Sequence, residues 1–368
     1  AIDLEVKATP IIFDVDDDGV LEIIIVYDSN GQGTVELWSP AIECDVTGWK
    51  PGGSHETERL WRWSHSTFEM AADKTCQTCH QPVAQPLLAD LFLDGSPELI
   101  LAMVDDINDE PNLVALPLPV SGTPSPIWEV TLDDGTHPSD PVWVQIDEVS
   151  SAILLTTIDE NNGEMWIWRV NAATGQVQYA NTLNNLDGDT ASPHVRLPGP
   201  VITQLDSDPA PEMVVTIPSD MDGASTSDGA TFVGLEVVDA STIFSFSAAN
   251  GYADAPPTLI DSDGNGITDR ICWNTWYRDG ISWHGMVGCN HYNEQTQNTM
   301  IDWNQIVEGT SGNPNDEIAV SAPTPMDIDG TGFDEILVTF GRTIYAHDGE
   351  TGSRSSINSE WVSGLELT

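Results

Sequence analysis

Nine residues, Asp14-Val-Asp-Asp-Asp-Gly-Val-Leu-Glu22, run straight into the apolar stretch Ile23-Ile-Ile-Val-Tyr27, and this unit returns along the whole chain. Asp14, Asp16, Asp18 and Glu22 put side-chain oxygens at positions 1, 3, 5 and 9 of a loop. Gly19 at position 6 permits the tight curl that lets such oxygens converge. Hard oxygen ligands at this spacing point to calcium. An EF-hand is excluded, because its bidentate glutamate stands at position 12 between two helices, whereas here the acid stands at position 9 and opens a strand.

Asp261, Asp263, Asn265 and Asp269 repeat the pattern around Gly266, and Asp327, Asp329, Thr331 and Glu335 repeat it around Gly332. Two further copies are worn. Asp90 to Glu98 has Phe92 at position 3; Gln204 to Glu212 keeps Asp206, Asp208 and Glu212 but has Gln204 at position 1 and Pro209 at position 6. Weak binding, or none, is expected of both. A sixth copy, Gln145 to Ile153, keeps only its strand and Asp147. The position-9 residues 22, 98, 153, 212, 269 and 335 are separated by 76, 55, 59, 57 and 66 residues, so one supersecondary unit recurs about six times.

These loops resemble the FG-GAP/VCBS repeats of integrin-like calcium propellers, and the likeness covers nearly the whole chain. The resemblance implies an all-β fold: one β-propeller domain over residues 1–368, with about six four-stranded blades, or seven if an atypical blade escapes the count. Such a motif specifies architecture and says little about function.

Alternation and turn residues place the strands within that frame. Residues 1–13 read as a strand, with Ile2, Leu4 and Val6 on one face, and Leu21–Tyr27 and Thr34–Trp38 as a hairpin. Further strands are expected near Glu98–Val104, Asn112–Leu116, Ile127–Leu132, Ala152–Ile158, Met165–Val170, Met213–Ile217, Arg270–Trp276, Glu335–Phe340 and Arg342–His347. The polar loop 218–229 reads as solvated. The tail, through Trp361 and Leu365, alternates like one more strand. Cys272 and Cys289 lie almost symmetrically about the turn at Arg278-Asp-Gly280, so they are expected to face each other and form a disulfide. Cys44 is left over, as a buried thiol or an intermolecular link.

From residue 41 to 86 the repeat is interrupted by an insertion. Ser66-Thr-Phe-Glu69 has the form of a capping box, which predicts a short helix running through Lys74. Then comes Cys76-Gln-Thr-Cys79-His80, the C-x-x-C-H pattern in which two thiols attach haem and the histidine is the proximal iron ligand. A zinc ribbon would want a second C-x-x-C and a thioredoxin-like pair a βαβ context, which leaves a simple disulfide as the alternative. The segment resembles cytochromes c over these five residues only. Candidates for the distal ligand are His65, His55 and Met70, all in the insertion; a methionine would raise the potential relative to a histidine. Trp61 and Trp63, alternating with Arg62, suit either a haem wall or an outer blade strand.

Lysine and arginine number 11 against 59 acids, giving 11 − 59 = −48. So anionic a surface repels nucleic-acid phosphate and anionic lipid, and attracts cations or basic proteins; a saline exterior would favour the same composition. No apolar run is long enough to span a membrane. The chain starts at Ala1, which reads as a removed secretion signal, and calcium loops suit a calcium-rich exterior. The expected location is extracellular or at the cell surface, with the periplasm as alternative.

No G-x-S-x-G, H-E-x-x-H or phosphate-loop pattern occurs, and paired acids say little in so acidic a chain. The expectation is therefore an electron-transfer protein rather than an enzyme: a monohaem c-type cytochrome on a calcium propeller, working with a redox partner or with further copies in an oligomer or filament. The alternative is a calcium-dependent adhesion or glycan-binding propeller with a structural haem, its tryptophans stacking on sugars. An enzyme passing electrons to its own haem is a third reading.

Overall fold

The computed structural model describes residues 8–28, 32–39, 58–65, 68–69, 84–105, 110–119, 121–133, 137–159, 164–185, 197–218, 229–248, 251–253, 255–279, 282–307, 321–328, 335–340 and 343–353. By its internal contacts the chain forms two compact units, residues 1–159 with 170–178, and residues 160–169 with 179–368. Among the described residues all regular structure is β, in six antiparallel sheets.

The first sheet has the order β1 (Ile11–Phe13), β2 (Glu22–Asp28), β3 (Gly33–Ser39) and β4 (Glu58–Ser64). The second is built on β7 (Glu98–Asp105), which carries β5 (Phe68–Glu69) and β6 (Leu87–Ala89) on one edge, with β8 (Pro111–Leu116) and β9 (Trp128–Thr131) beyond the other. In the third, β10 (His137–Pro138) and β11 (Val142–Gln145) both pair with β12 (Ser151–Asp159). The hairpin β13 (Glu164–Asn171) and β14 (Val177–Asn185) follows.

The fourth sheet runs β15 (Val201–Thr203), β16 (Glu212–Ile217), β17 (Thr231–Glu236) and β18 (Thr242–Ser247). The fifth runs β19 (Thr258–Ile260), β20 (Arg270–Asp279), β21 (Ser282–Asn293) and β22 (Asn298–Val307). The sixth has β23 (Thr324–Met326), β24 (Glu335–Phe340) and β25 (Thr343–Asp348). Each strand expected in the described segments is present to within a few residues.

Burial explains the sequence patterns. Every residue of β8 and of β16 is buried, so these inner strands are covered on both faces and read as continuous apolar runs. The outer strands β9 and β22 alternate or lie largely exposed. In the first unit Ile24, Val35, Leu37, Trp61 and Trp63 pack with Leu99, Leu101, Met103, Val114 and Leu116, joining the faces of the first and second sheets. Phe232 and Phe244 pack with Trp273 and Tyr292 between the fourth and fifth sheets, and Trp276, Val287 and Trp303 pack with Ile336, Val338 and Tyr345 between the fifth and sixth. Trp61 and Trp63 therefore belong to an outer strand packed in the core.

Cys272 and Cys289 are direct cross-strand partners in β20 and β21 and are joined by a disulfide. One expectation needs correcting. Phe68 and Glu69 are not the start of a helix but an extended pair on the edge of the second sheet, opposite Asp105 and Val104. A single short helical turn is marginal by itself, whereas pairing with β7 satisfies the backbone of these two residues immediately. Residues 70–74, Cys44, the loop 219–228, the N-terminal residues 1–7 and the tail from 354 onward lie outside the described residues.

Candidate functional site

Five loops share one hydrogen-bonding scheme. The acid at position 9 opens, or in the case of Asp269 immediately precedes, the strand that follows its loop and turns back to accept from the backbone N–H at position 2: Val15 to Glu22 Oε2 at 2.9 Å, Leu91 to Glu98 Oε2 at 2.9 Å, Ser262 to Asp269 Oδ1 at 3.0 Å and Ile328 to Glu335 Oε2 at 2.7 Å. Leu205 N donates to Glu212 Oε2 in the same way. Glu22, Glu98, Glu212 and Glu335 are all buried, so each carboxylate is held by the fold before any ion arrives.

Position 1 is the second anchor. The carboxylate of Asp14 accepts from Asp18 N at 3.1 Å and Gly19 N at 2.8 Å; Asp90 does so from Asp94 and Gly95, and Asp261 from Asn265 and Gly266. Gly19, Gly95 and Gly266 have φ of 86°, 90° and 90°, a left-handed bend that aims the position-6 N–H inward and that glycine adopts at little cost. These bonds hold the Asp261 carboxyl below its ordinary pKa, the one from Gly266 N–H contributing most.

Carboxylate oxygens of Asp14, Asp16 and Asp18 lie within 4.8 Å of one another, as do those of Asp206, Asp208 and Glu212. An all-oxygen set on a pre-curled loop fits a hard divalent cation. In the loop from Asp261, Asp263 and Asn265 are engaged with each other, Asn265 Nδ2 donating to Asp263 Oδ2 at 3.1 Å. Of the loop from Asp327, Asp327 and Glu335 are described; Asp329 and Thr331 lie outside the described residues.

The worn loop from Gln204 is the most anomalous electrostatically. Glu212 is 0% exposed, its Oε1 has no hydrogen-bond partner among the described residues, and its cross-strand neighbour is Glu236. Burial pushes its pKa up to about 7, with Asp206, Glu236 and Asp208 adding to the shift. The folded state thus holds this proton more tightly than the unfolded chain does. Its contribution to stability is complete below the ordinary glutamate range and is lost as pH rises through about 7, by roughly 2–3 kcal/mol. In chelator, denaturation midpoints measured from pH 4.5 to 8 should therefore fall more steeply with pH for the native chain than for Glu212→Gln; parallel curves would refute this assignment.

Cys76, Cys79 and His80, expected from the sequence to attach haem, and the distal candidate His55, lie outside the described residues, as does Met70. The frame around them is described. Both ends of this excursion are pinned on β7, Glu69 opposite Val104 and Leu87 opposite Ile100. Four residues of strand separate those anchor points, roughly 13 Å. His65, the other distal candidate, lies just beyond β4 with its side chain 12% exposed. Its Nε2 is 3.2 Å from Glu129 Oε1, which also accepts from Asn112 Nδ2 at 2.9 Å, and its ring meets Trp63 edge-on at 5.9 Å. A carboxylate on Nε2 fixes the ring orientation, and ligation through Nε2 would require that contact to open.

A recurring clasp between successive sheets was not visible in the sequence. Trp61 Nε1 of β4 donates to Pro119 O, beyond the third strand of the next sheet, at 2.7 Å; Trp128 Nε1 of β9 donates to Ala172 O at 2.8 Å. Tyr179 OH of β14 reaches Val237 O at 3.1 Å, and Trp303 Nε1 of β22 reaches Gly349 O at 2.9 Å. In two of these clasps a glycine of a Thr-Gly turn lies flat on the indole, Gly175 on Trp128 and Gly352 on Trp303. The signal available was the pair of Thr-Gly turns, each closed by an Asn171 or Asp348 side chain bonding to the threonine.

No family model matches the chain, and no curated protein matches it either. The FG-GAP/VCBS likeness thus rests on the loop residues themselves. Solved structures do match. The α-L-arabinanase of Penicillium chrysogenum is 11% identical over 95% of this chain and 93% of its own, with a TM-score of 0.41. The β-propeller domain of the Trilobed protease from Pyrococcus furiosus is 9% identical over 94% and 83%, at 0.39. A GH43_1 enzyme from Xanthomonas citri is 12% identical over 80% and 85%, at 0.28. These comparisons correct the expectation that leaned away from an enzyme, since enzymes stand prominently among the matched structures. Likenesses this remote carry no activity, substrate or site to the present chain.

Proposed function

We propose that this chain is an extracellular monohaem c-type cytochrome in which a calcium-binding β-propeller of about six blades presents one haem for electron transfer. The observation that carries the reading is the pentapeptide Cys76 to His80 within an excursion anchored at both ends on β7. Cys76 and Cys79 would hold the macrocycle covalently, with His80 as proximal ligand and His65 or His55 as the distal one. Bound haem supplies a one-electron couple; the chain supplies ligation, a fixed seat and a strongly anionic surface that selects a cationic partner or a calcium-bridged second copy.

The propeller reading is supported by antiparallel four-stranded sheets whose inner strands are covered on both faces, and by the clasp passing from an outer strand to the next sheet. Calcium would sit on Asp14, Asp16, Asp18 and Glu22, on Asp261, Asp263, Asn265 and Asp269, and on Asp327, Asp329, Thr331 and Glu335, bracing each loop against the strand it opens. Redox titration of the purified protein tests the proposal: one reversible wave of one electron per chain is expected, and a protein that takes up no electron would overturn it.

A further inference from the structure

Gln204 does not leave a gap at position 1 of its loop. Its Nε2, with two N–H donors to share, lies within hydrogen-bonding reach of three backbone carbonyls, Asp206 O at 3.2 Å, Ala210 O at 3.2 Å, and Asp208 O. These belong to positions 3, 7 and 5, and a position-7 carbonyl is a customary cation ligand in calcium loops. The substitution at position 6 matches the one at position 1. In the loops from Asp14, Asp90 and Asp261 a glycine N–H donates to the position-1 carboxylate. Pro209 has no N–H, so the partner of that carboxylate has disappeared together with the carboxylate. Where the other loops place an acceptor facing N–H groups, this one places a donor facing carbonyls.

We infer that the carboxamide of Gln204 is a built-in substitute for the cation, holding this loop closed with no metal bound. The loop from Gln145 bears this out independently, because its position-1 glutamine also turns inward and donates through Nε2 to the position-3 carbonyl, Asp147 O, at 3.0 Å. Asp206 and Asp208 accept from Asp208 N at 2.8 Å and Ala210 N at 2.7 Å, turn bonds that Asp263 and Asp18 also make in the loops from Asp261 and Asp14, so it is Gln204 and Pro209 that set this loop apart. The inference deepens the calcium reading by separating loops that need the ion from one that carries its own donor. Ser207 N, which donates to Glu294 Oε1 at 3.0 Å, ties this self-sufficient loop to the end of β21.

Selective glutamine side-chain labelling provides the test, with Gln204→Glu identifying the resonance. In chelator, the Gln204 amide protons should exchange at least ~100-fold more slowly than those of a free glutamine, and their shifts should stay put up to about 10 mM calcium, above the range of extracellular sites. Free-rate exchange, or shifts that move with calcium, would overturn the inference. The second arm is the double reversion Gln204→Asp with Pro209→Gly, which should add one calcium to the stoichiometry found for the native chain. An unchanged stoichiometry would count against it, provided that the loop from Asp14 binds in the same sample. Loss of binding at that loop would instead sink the calcium reading, while amide protection would still decide the role of Gln204.

Discussion

Gly352→Val should lower stability by about 3–5 kcal/mol, the largest single-residue effect expected among the described residues. Two costs add. Gly352 has φ of +67°, where a β-branched residue is strained by roughly 1–2 kcal/mol. A Cβ there would also run into the indole of Trp303, and overpacking of this kind costs typically 1–3 kcal/mol. The indole cannot step aside freely, because Nε1 is tied to Gly349 O at 2.9 Å and its ring stacks on His347 at 6.1 Å. Gly122→Ala separates the two terms: φ there is +83° but nothing lies within 4 Å, so only the backbone cost should appear. Denaturant midpoints of the two variants that fall together would show that the clasp is not a stabilising device.

Calcium removal should be the largest effect of any solution condition. At ten to a hundred times its dissociation constant a ligand stabilises the fold by roughly 1.4–2.7 kcal/mol per site, so the three loops with a complete ligand set together contribute about 4–8 kcal/mol. That is comparable to the whole stability of an ordinary domain. The acids explain the size of the effect, since Asp14, Asp16 and Asp18 repel one another when nothing lies between them. Asp14→Ala should remove about a third of the difference between melting in calcium and in chelator. Identical melting curves for the native chain in the two buffers would contradict calcium binding altogether.

What the sequence disclosed was local. Loop spacing, the strand following each position-9 acid and the Cys272–Cys289 pair depend on residues close together in the chain, so periodicity and turn chemistry locate them. The clasp was hidden because Trp303 and Gly349 are 46 residues apart and nothing in either segment names the other. The sequence reading of the Gln204 loop, weak binding or none, rested on the missing acid alone; the donor role of Gln204 was hidden because the Asp206, Asp208 and Ala210 carbonyls meet its side chain only in the folded turn. Ser66 to Glu69 misled because a capping box is a two-residue signal, and β7 offered Phe68 and Glu69 an edge that the pattern cannot register.

The central claim rests on Cys76 and Cys79, and one spectrum addresses it most directly. Purified protein, extracted with acid acetone and converted to the pyridine haemochrome, should retain a c-type band at one haem per chain, and Cys76→Ala combined with Cys79→Ala should abolish it. A native protein that is colourless, or whose haem leaves with the solvent, would contradict the account and leave those two cysteines to a disulfide.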